Sequence, residues 1–69
     1  MQIKAVIIDD EQIAREVLQS YLKKYCPQVK VLGEAQNIKE AVPLLENTQP
    51  QLVFFLTSAL FYNMRIYLS

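Results

Sequence analysis

Two adjacent carboxylates, Asp9 and Asp10, are the residues whose type and position best suit chemistry. They directly follow Ile3–Ile8, a β-branched apolar run that predicts a strand buried on both faces. Ligands of an open parallel sheet bind beyond the carboxyl ends of its strands. Mg²⁺ takes one or two carboxylates there, together with waters and a phosphate oxygen. The pair therefore predicts a magnesium site, which a third carboxylate after the third strand would complete.

A simpler interpretation of the same pair is helix capping. Aspartate is a favoured N-cap residue, worth about 1 kcal/mol, and acidic groups in a first turn suit the helix dipole. Glu11 either orients a metal-bound water or faces solvent at the start of the helix, and solvent is the simpler interpretation. The residues alone leave both interpretations of Asp9 and Asp10 open.

The first helix has to position these carboxylates, and its apolar residues recur at three- and four-residue spacing. Its predicted core face consists of Ile13, Val17, Leu18, Tyr21, Leu22 and Tyr25. Arg15 and Glu16 fall on the opposite face, where we expect them to be solvated. Pro27 ends the helix, and Cys26 beside it is expected to be a half-buried small residue.

A second strand over residues 29–32 is closed by Gly33, and a third buried strand is predicted over residues 52–56. The order β-α-β-α-β, with short connections, predicts a parallel sheet with right-handed crossovers. Residues 57–69 fit neither a helical nor a strand period, so no element is predicted there.

The second helix lies between those strands. Asn37 is expected to cap it, because Glu40 follows at the spacing of a capping box. Pro43 lacks the N–H that would bond to the carbonyl of Lys39, so the helix either kinks there or begins its regular part near Val42.

Three motifs follow one another at the spacing of a known family: AVIIDDE at residues 5–11, GEA at residues 33–35 and PQLVF at residues 50–54. Together they resemble the first half of a response-regulator receiver domain, over about residues 2–54. DEQIAR at residues 10–15 and YCP at residues 25–27 further resemble the LytTR type of regulator.

The resemblance implies a truncated doubly wound, flavodoxin-like α/β receiver with a phosphorylation switch. In such domains the acidic pair, here Asp9 and Asp10, holds Mg²⁺. An aspartate at the end of the third strand accepts phosphate from a histidine kinase, and a later hydroxyl and a lysine respond to it. The output domain of the parent protein would bind DNA.

This sequence departs from that pattern at the acceptor position, which falls on Leu56. A leucine side chain neither accepts phosphate nor binds a metal, and nothing marks Thr57 or Ser58 as a replacement. The chain also stops before the later hydroxyl and lysine positions. We therefore expect no catalytic residue, and Mg²⁺ binding that is weak or absent.

The chain changes character near residue 55. All seven acidic residues lie at or before Glu46, and from Val53 onward Arg65 is the single charged residue. We divide the chain into residues 1–54, half of a receiver domain, and residues 55–69, an atypical hydrophobic tail. The tail resembles translation in another reading frame, and sequencing the encoding DNA distinguishes a frameshift from a natural variant.

Composition excludes several classes of function. Lys plus Arg equals Asp plus Glu, seven each, so no net charge favours nucleic acid or an anionic membrane. Cys26 alone cannot form an intrachain disulfide, and without histidine no Cys/His metal site is possible. The apolar run before Asp9 is too short for a signal peptide, so we expect a cytoplasmic protein.

Two functions follow from these observations. The first is a fragment of a two-component regulator that cannot be phosphorylated and is not an enzyme. The alternative is an interaction or dimerisation module that uses an exposed sheet edge and the apolar tail, in which case the chain forms homo-oligomers. A small Mg²⁺-dependent phosphotransfer enzyme is disfavoured, because the chain has no histidine and no Gly-rich phosphate loop.

Overall fold

A computed structural model describes residues 1–55 and the backbone of residues 65–68. Its strands are β1 (Ile3–Ile8), β2 (Val29–Ala35), β3 (Leu52–Phe55) and β4 (Arg65–Leu68), and its helices are α1 (Gln12–Tyr25) and α2 (Ile38–Thr48). The strand order in the sheet is β2-β1-β3-β4. β1 pairs in parallel with β2 and β3, and β4 runs antiparallel to β3. The predicted β-α-β-α-β parallel arrangement is confirmed.

The central strand β1 is buried on both faces, as its apolar sequence, interrupted only by Lys4, predicts. Ala5 and Ile7 contribute to a core shared with α1, while Val6 and Ile8 contribute to a second core shared with α2. The exposure of all four residues is between 0% and 4%. The two helices therefore cover opposite faces of the sheet, which is the layering of a doubly wound fold.

Helix α1 buries a narrower face than its periodicity predicts. Leu22 is buried and Leu18 packs against the same core, as expected. The other four predicted core residues are more than half exposed: Ile13 (74%), Val17 (52%), Tyr21 (56%) and Tyr25 (60%). Their assignment to the core is wrong, because the helix meets the sheet along one side only. Cys26 is half-buried next to the helix end, as predicted.

Strand β2 is longer than predicted, because Gly33 lies inside it. The register with β1 shifts between the Ala5–Val31 and Val6–Gly33 pairs, so Leu32 is the extra residue of a bulge. A Cβ atom at Gly33 would lie 2.7 Å from Cδ1 of Leu44. The glycine therefore permits the close approach of α2 to β2 and does not terminate the strand.

Helix α2 begins at its predicted cap. The Asn37 side chain accepts a hydrogen bond from the Glu40 N–H at 2.8 Å. The Glu40 carboxylate in turn accepts from the backbone N–H of Gln36 at 3.2 Å, one residue earlier than in a standard capping box. Pro43 lies inside the helix, so the alternative start near Val42 is wrong.

Strand β3 covers Leu52–Phe55, and its predicted end at residue 56 stays a prediction. Residues 56–64 and 69, including the acceptor position Leu56, lie outside the described residues. The tail contributes β4, a strand that its sequence pattern does not predict. The domain boundary after residue 54 stays a prediction.

Candidate functional site

The carboxyl ends of the three parallel strands meet at one edge of the sheet. Ile8, the last residue of β1, pairs with Ala35 on one side and with Phe55 on the other. The backbone N–H of Asp9 donates to the carbonyl of Ala35 at 3.0 Å, which extends the ladder by one residue. The strand order reverses at this edge, between β1 and β3, so Asp9 lies where doubly wound proteins bind their ligands.

Asp9 is a buried carboxylate, and one of its two oxygen atoms accepts a hydrogen bond. The side chain belongs to a residue that is 2% exposed, and its Oδ1 accepts a hydrogen bond from the Glu11 N–H at 3.0 Å. Its Oδ2 is buried and has no hydrogen-bond partner among the residues that the structure describes. A buried acceptor without a donor costs free energy, so Oδ2 is the atom at this edge that a cation would stabilise most.

The electrostatic environment of Asp9 also favours a cation beside Oδ2. Burial raises the pKa of the Asp9 carboxyl, and the neighbouring carboxylates of Asp10 and Glu11 raise it further, against the lowering effect of the hydrogen bond from Glu11. A positive charge beside Oδ2 would offset both the burial and the repulsion. Asp10 is exposed and adjacent to Asp9 in the sequence.

These two carboxylates suit Mg²⁺, which prefers oxygen ligands and keeps several waters. Within residues 1–55 and the backbone of 65–68, no cluster of three or more Asp, Glu, Cys or His side chains is placed to hold a metal. The magnesium site predicted at Asp9 and Asp10 therefore stays a prediction. A third protein ligand would have to come from elsewhere.

The geometry also bears on the capping interpretation. Glu11 occupies the N-cap position of α1, so neither aspartate is the cap residue itself. Asp9 instead bonds to the N–H two residues later, which is an Asx-type turn that leads the chain from β1 into α1. The carboxylate thus shapes the loop through Oδ1, while the buried Oδ2 has no hydrogen-bond partner among the described residues.

The expectation that Arg15 is solvated is wrong. Its Nη1 donates to the backbone carbonyl of Asp9 at 2.5 Å, and its Nε donates to Oε1 of Glu34 at 2.6 Å. The Arg15 side chain is 13% exposed and that of Glu34 is 30% exposed. Gln19 also donates to the Glu34 carboxylate. These contacts join α1, the end of β1 and the end of β2 around the Asp9 backbone.

An Arg15→Ala variant is expected to lose about 1 kcal/mol of unfolding free energy, because it gives up two charge-assisted bonds in a half-buried site. Urea unfolding followed by circular dichroism measures this loss. Lys39→Ala, at an exposed position of α2, is the matched control and is expected to change little. An equal loss in both variants would show that the Arg15 contacts contribute nothing specific.

None of the helices in the described part of the chain is long and apolar enough to span a membrane. No protein-family model matches the chain, and no solved structure matches it significantly.

Curated proteins do match it. The sensory transduction protein LytT of Bacillus cereus is 35% identical over 52 residues, which are 75% of this chain and 21% of that protein. A response regulatory protein of Yersinia pestis is 36% identical over the same shares of the two chains. A protein-glutamate methylesterase/protein-glutamine glutaminase of Methanospirillum hungatei is 37% identical over 74% of this chain and 14% of its own. The chain spans about a fifth of the length of the first two relatives.

Proposed function

The chain belongs to the response-regulator receivers. We propose that it is the N-terminal half of such a domain and a piece of a two-component regulator that cannot be phosphorylated. The observation that carries this proposal is the register between β1 and β3. Ile8 of β1 pairs with Phe55 of β3. The residues that follow these two in the sequence are Asp9 and Leu56. Leucine stands where the family needs a carboxylate nucleophile, and its side chain cannot form an acyl phosphate.

In the same proposal Asp9 and Asp10 are the metal ligands. Bound Mg²⁺ would neutralise charge on phosphoryl oxygens, which is the chemistry it supplies in phosphoryl transfer. The buried Oδ2 of Asp9 supports this role, and the missing carboxylate at position 56 makes the binding weak. The binding partner of the parent regulator would be a histidine kinase. This chain itself, with no net charge, would not contact nucleic acid.

Treating the chain with acetyl phosphate and Mg²⁺, followed by intact-mass spectrometry, tests the proposal. We expect no added phosphoryl group, because the acceptor position is occupied by Leu56, whose side chain has no carboxylate. A stable phosphoryl adduct at stoichiometric level, on any residue, would contradict it.

We also propose that the chain acts by binding other chains and not as an enzyme. The specific observation in favour is the set of large apolar side chains that α1 exposes. The edges of the described sheet, formed by β2 and β4, offer further contact surface. The enzyme activity in the name of the archaeal relative belongs to that protein, of which the matched part is 14%. Homo-oligomers are the expected outcome, and a soluble cytoplasmic location is part of the same proposal.

A further inference from the structure

We infer that α1 is a self-association surface, and that two copies of this chain pack their α1 helices antiparallel about a two-fold axis. The contact is made by four residues, here called the α1 stripe: Ile13, Val17, Tyr21 and Tyr25. The inference rests on the proposed binding function and names the surface and the partner, which is a second copy.

The α1 stripe is a continuous apolar ridge. Its residues are spaced four apart, so they lie in one row along the helix over about 18 Å. Each is more than half exposed, from 52% at Val17 to 74% at Ile13. The rings of Tyr21 and Tyr25 already contact each other, with centroids 4.9 Å apart. A row of large exposed apolar residues on one helix is costly in water unless another surface covers it.

The order of residues makes the stripe self-complementary. In an antiparallel pair with the axis midway between Val17 and Tyr21, Val17 faces Tyr21 of the second copy. Ile13 likewise faces Tyr25 of the second copy. Each contact joins an aliphatic side chain to an aromatic ring, so a large residue always meets a smaller one. Contacts that repeat under a two-fold rotation form a closed dimer.

Charge selects the antiparallel direction. Asp10 and Glu11 lie at the N-terminal end of the stripe, Lys23 and Lys24 lie at its C-terminal end, and all four are exposed. Antiparallel packing brings each acidic end beside a basic end, with Lys24 and Asp10 of the second copy separated by about 6 Å along the axis. Parallel packing would place like charges together. The helix dipoles also favour the antiparallel pair, and the chain has no net charge to repel a second copy.

Lys24 strengthens this assignment. Its Nζ lies 5.4 Å from the centroid of the Tyr25 ring, so the cation already flanks the stripe.

A second apolar surface is a recess of about 370 Å³, lined by Ile38, Val42, Val53 and Phe55 among others. It serves here as the control surface.

Sedimentation velocity over a range of concentrations tests the inference, with Val17→Glu as the test variant and Ile38→Glu as the control. Both change an exposed apolar helix residue to glutamate, and the exposed fractions are 52% and 57%. We expect Val17→Glu to raise the dimer dissociation constant at least about tenfold, because two charges enter the interface. Ile38→Glu should leave it unchanged. Circular dichroism of each variant confirms that the fold is retained.

Disulfide trapping gives a second measurement that needs no destabilised variant. In a Cys26→Ser background, a Val17→Cys chain mixed with a Tyr21→Cys chain should form the crosslinked heterodimer faster than either chain alone forms a homodimer. Equal rates in all three samples would overturn the antiparallel register.

The outcomes separate the two levels of the proposal. A wild-type chain that is monomeric at every concentration overturns both the inference and the broader proposal of homo-oligomers. A dimer that resists Val17→Glu, or that Ile38→Glu dissociates equally, overturns the α1 surface and leaves association through another surface as the result.

Discussion

Replacing Ile7 by alanine is expected to cost about 2–5 kcal/mol of unfolding free energy, since a large buried side chain is removed from the central strand. Ile7 is 0% exposed and is among the largest fully buried side chains of the chain's described part. A chain of this size rarely has more than about 3–5 kcal/mol of stability from its core. The variant should therefore be largely unfolded at room temperature.

Circular dichroism with urea titration measures the effect. Ile38→Ala is the matched control, since Ile38 is 57% exposed, and it should change stability by less than about 0.5 kcal/mol. If Ile7→Ala unfolded at the same urea concentration as the wild type, the two-sided core around β1 would be wrong.

Replacing Asp9 by asparagine is expected to stabilise the fold at neutral pH by about 1 kcal/mol, although it removes a proposed metal ligand. The asparagine would keep the hydrogen bond from the Glu11 N–H, and it removes a buried charge whose Oδ2 has no partner among described residues. Ligand-binding sites typically keep a charged group that lowers the stability of the fold.

The pH dependence follows from the direction of the shift. Burial raises the pKa of Asp9 in the folded state above its value in the unfolded chain. The folded state then holds the proton more tightly, so the unfolding free energy falls as pH rises from the unfolded-state pKa through the folded-state pKa. In acid below both values Asp9 is neutral in both states, and the advantage of asparagine should vanish.

Urea unfolding of both chains at neutral pH and at about pH 3 checks this expectation. Adding Mg²⁺ at neutral pH should stabilise the wild type and leave Asp9→Asn unchanged, since binding to the folded state alone raises its stability. An Asp9→Asn chain that is less stable than the wild type at neutral pH without metal would contradict the claim that the buried Asp9 carboxylate destabilises the fold.

The parts of the fold that follow a simple period could be predicted from the sequence. The bounds of β1 follow from an apolar run, interrupted only by Lys4, that ends in acidic residues, and the cap of α2 follows from Asn37 and Glu40 at the right spacing. Both depend on neighbours in the sequence. The alternation of strand and helix then limits the topology to a parallel sheet.

The predictions that are wrong depend on contacts between residues that are distant in the sequence. Periodicity cannot tell which part of an apolar helix face meets the sheet, so it assigns Tyr21 and Tyr25 to the core although both are exposed. Arg15 and Glu34 are 19 residues apart, and their pairing arises only when α1 packs beside β2. An arginine on α1 and a glutamate near the end of β2 carry opposite charges, which is the one sequence feature that hints at the pair.

Local backbone geometry is also difficult to predict from the sequence. Gly33 suggests a strand end, although its actual role is to make room for Leu44. Gln49 ends α2 with a left-handed φ of 46°, where glycine or asparagine would be the usual residue. Neither position can be interpreted without knowing what packs against it.

The most direct test of the central claim compares phosphorylation of the wild-type chain with that of a Leu56→Asp variant. Both are treated with acetyl phosphate and Mg²⁺, and the added phosphoryl mass is located by fragmentation. We expect an unmodified wild type, and a variant that is labelled at position 56 only when Mg²⁺ is present. Labelling of the wild type, or of neither chain, would contradict the claim that Leu56 is what prevents phosphoryl transfer beside Asp9 and Asp10.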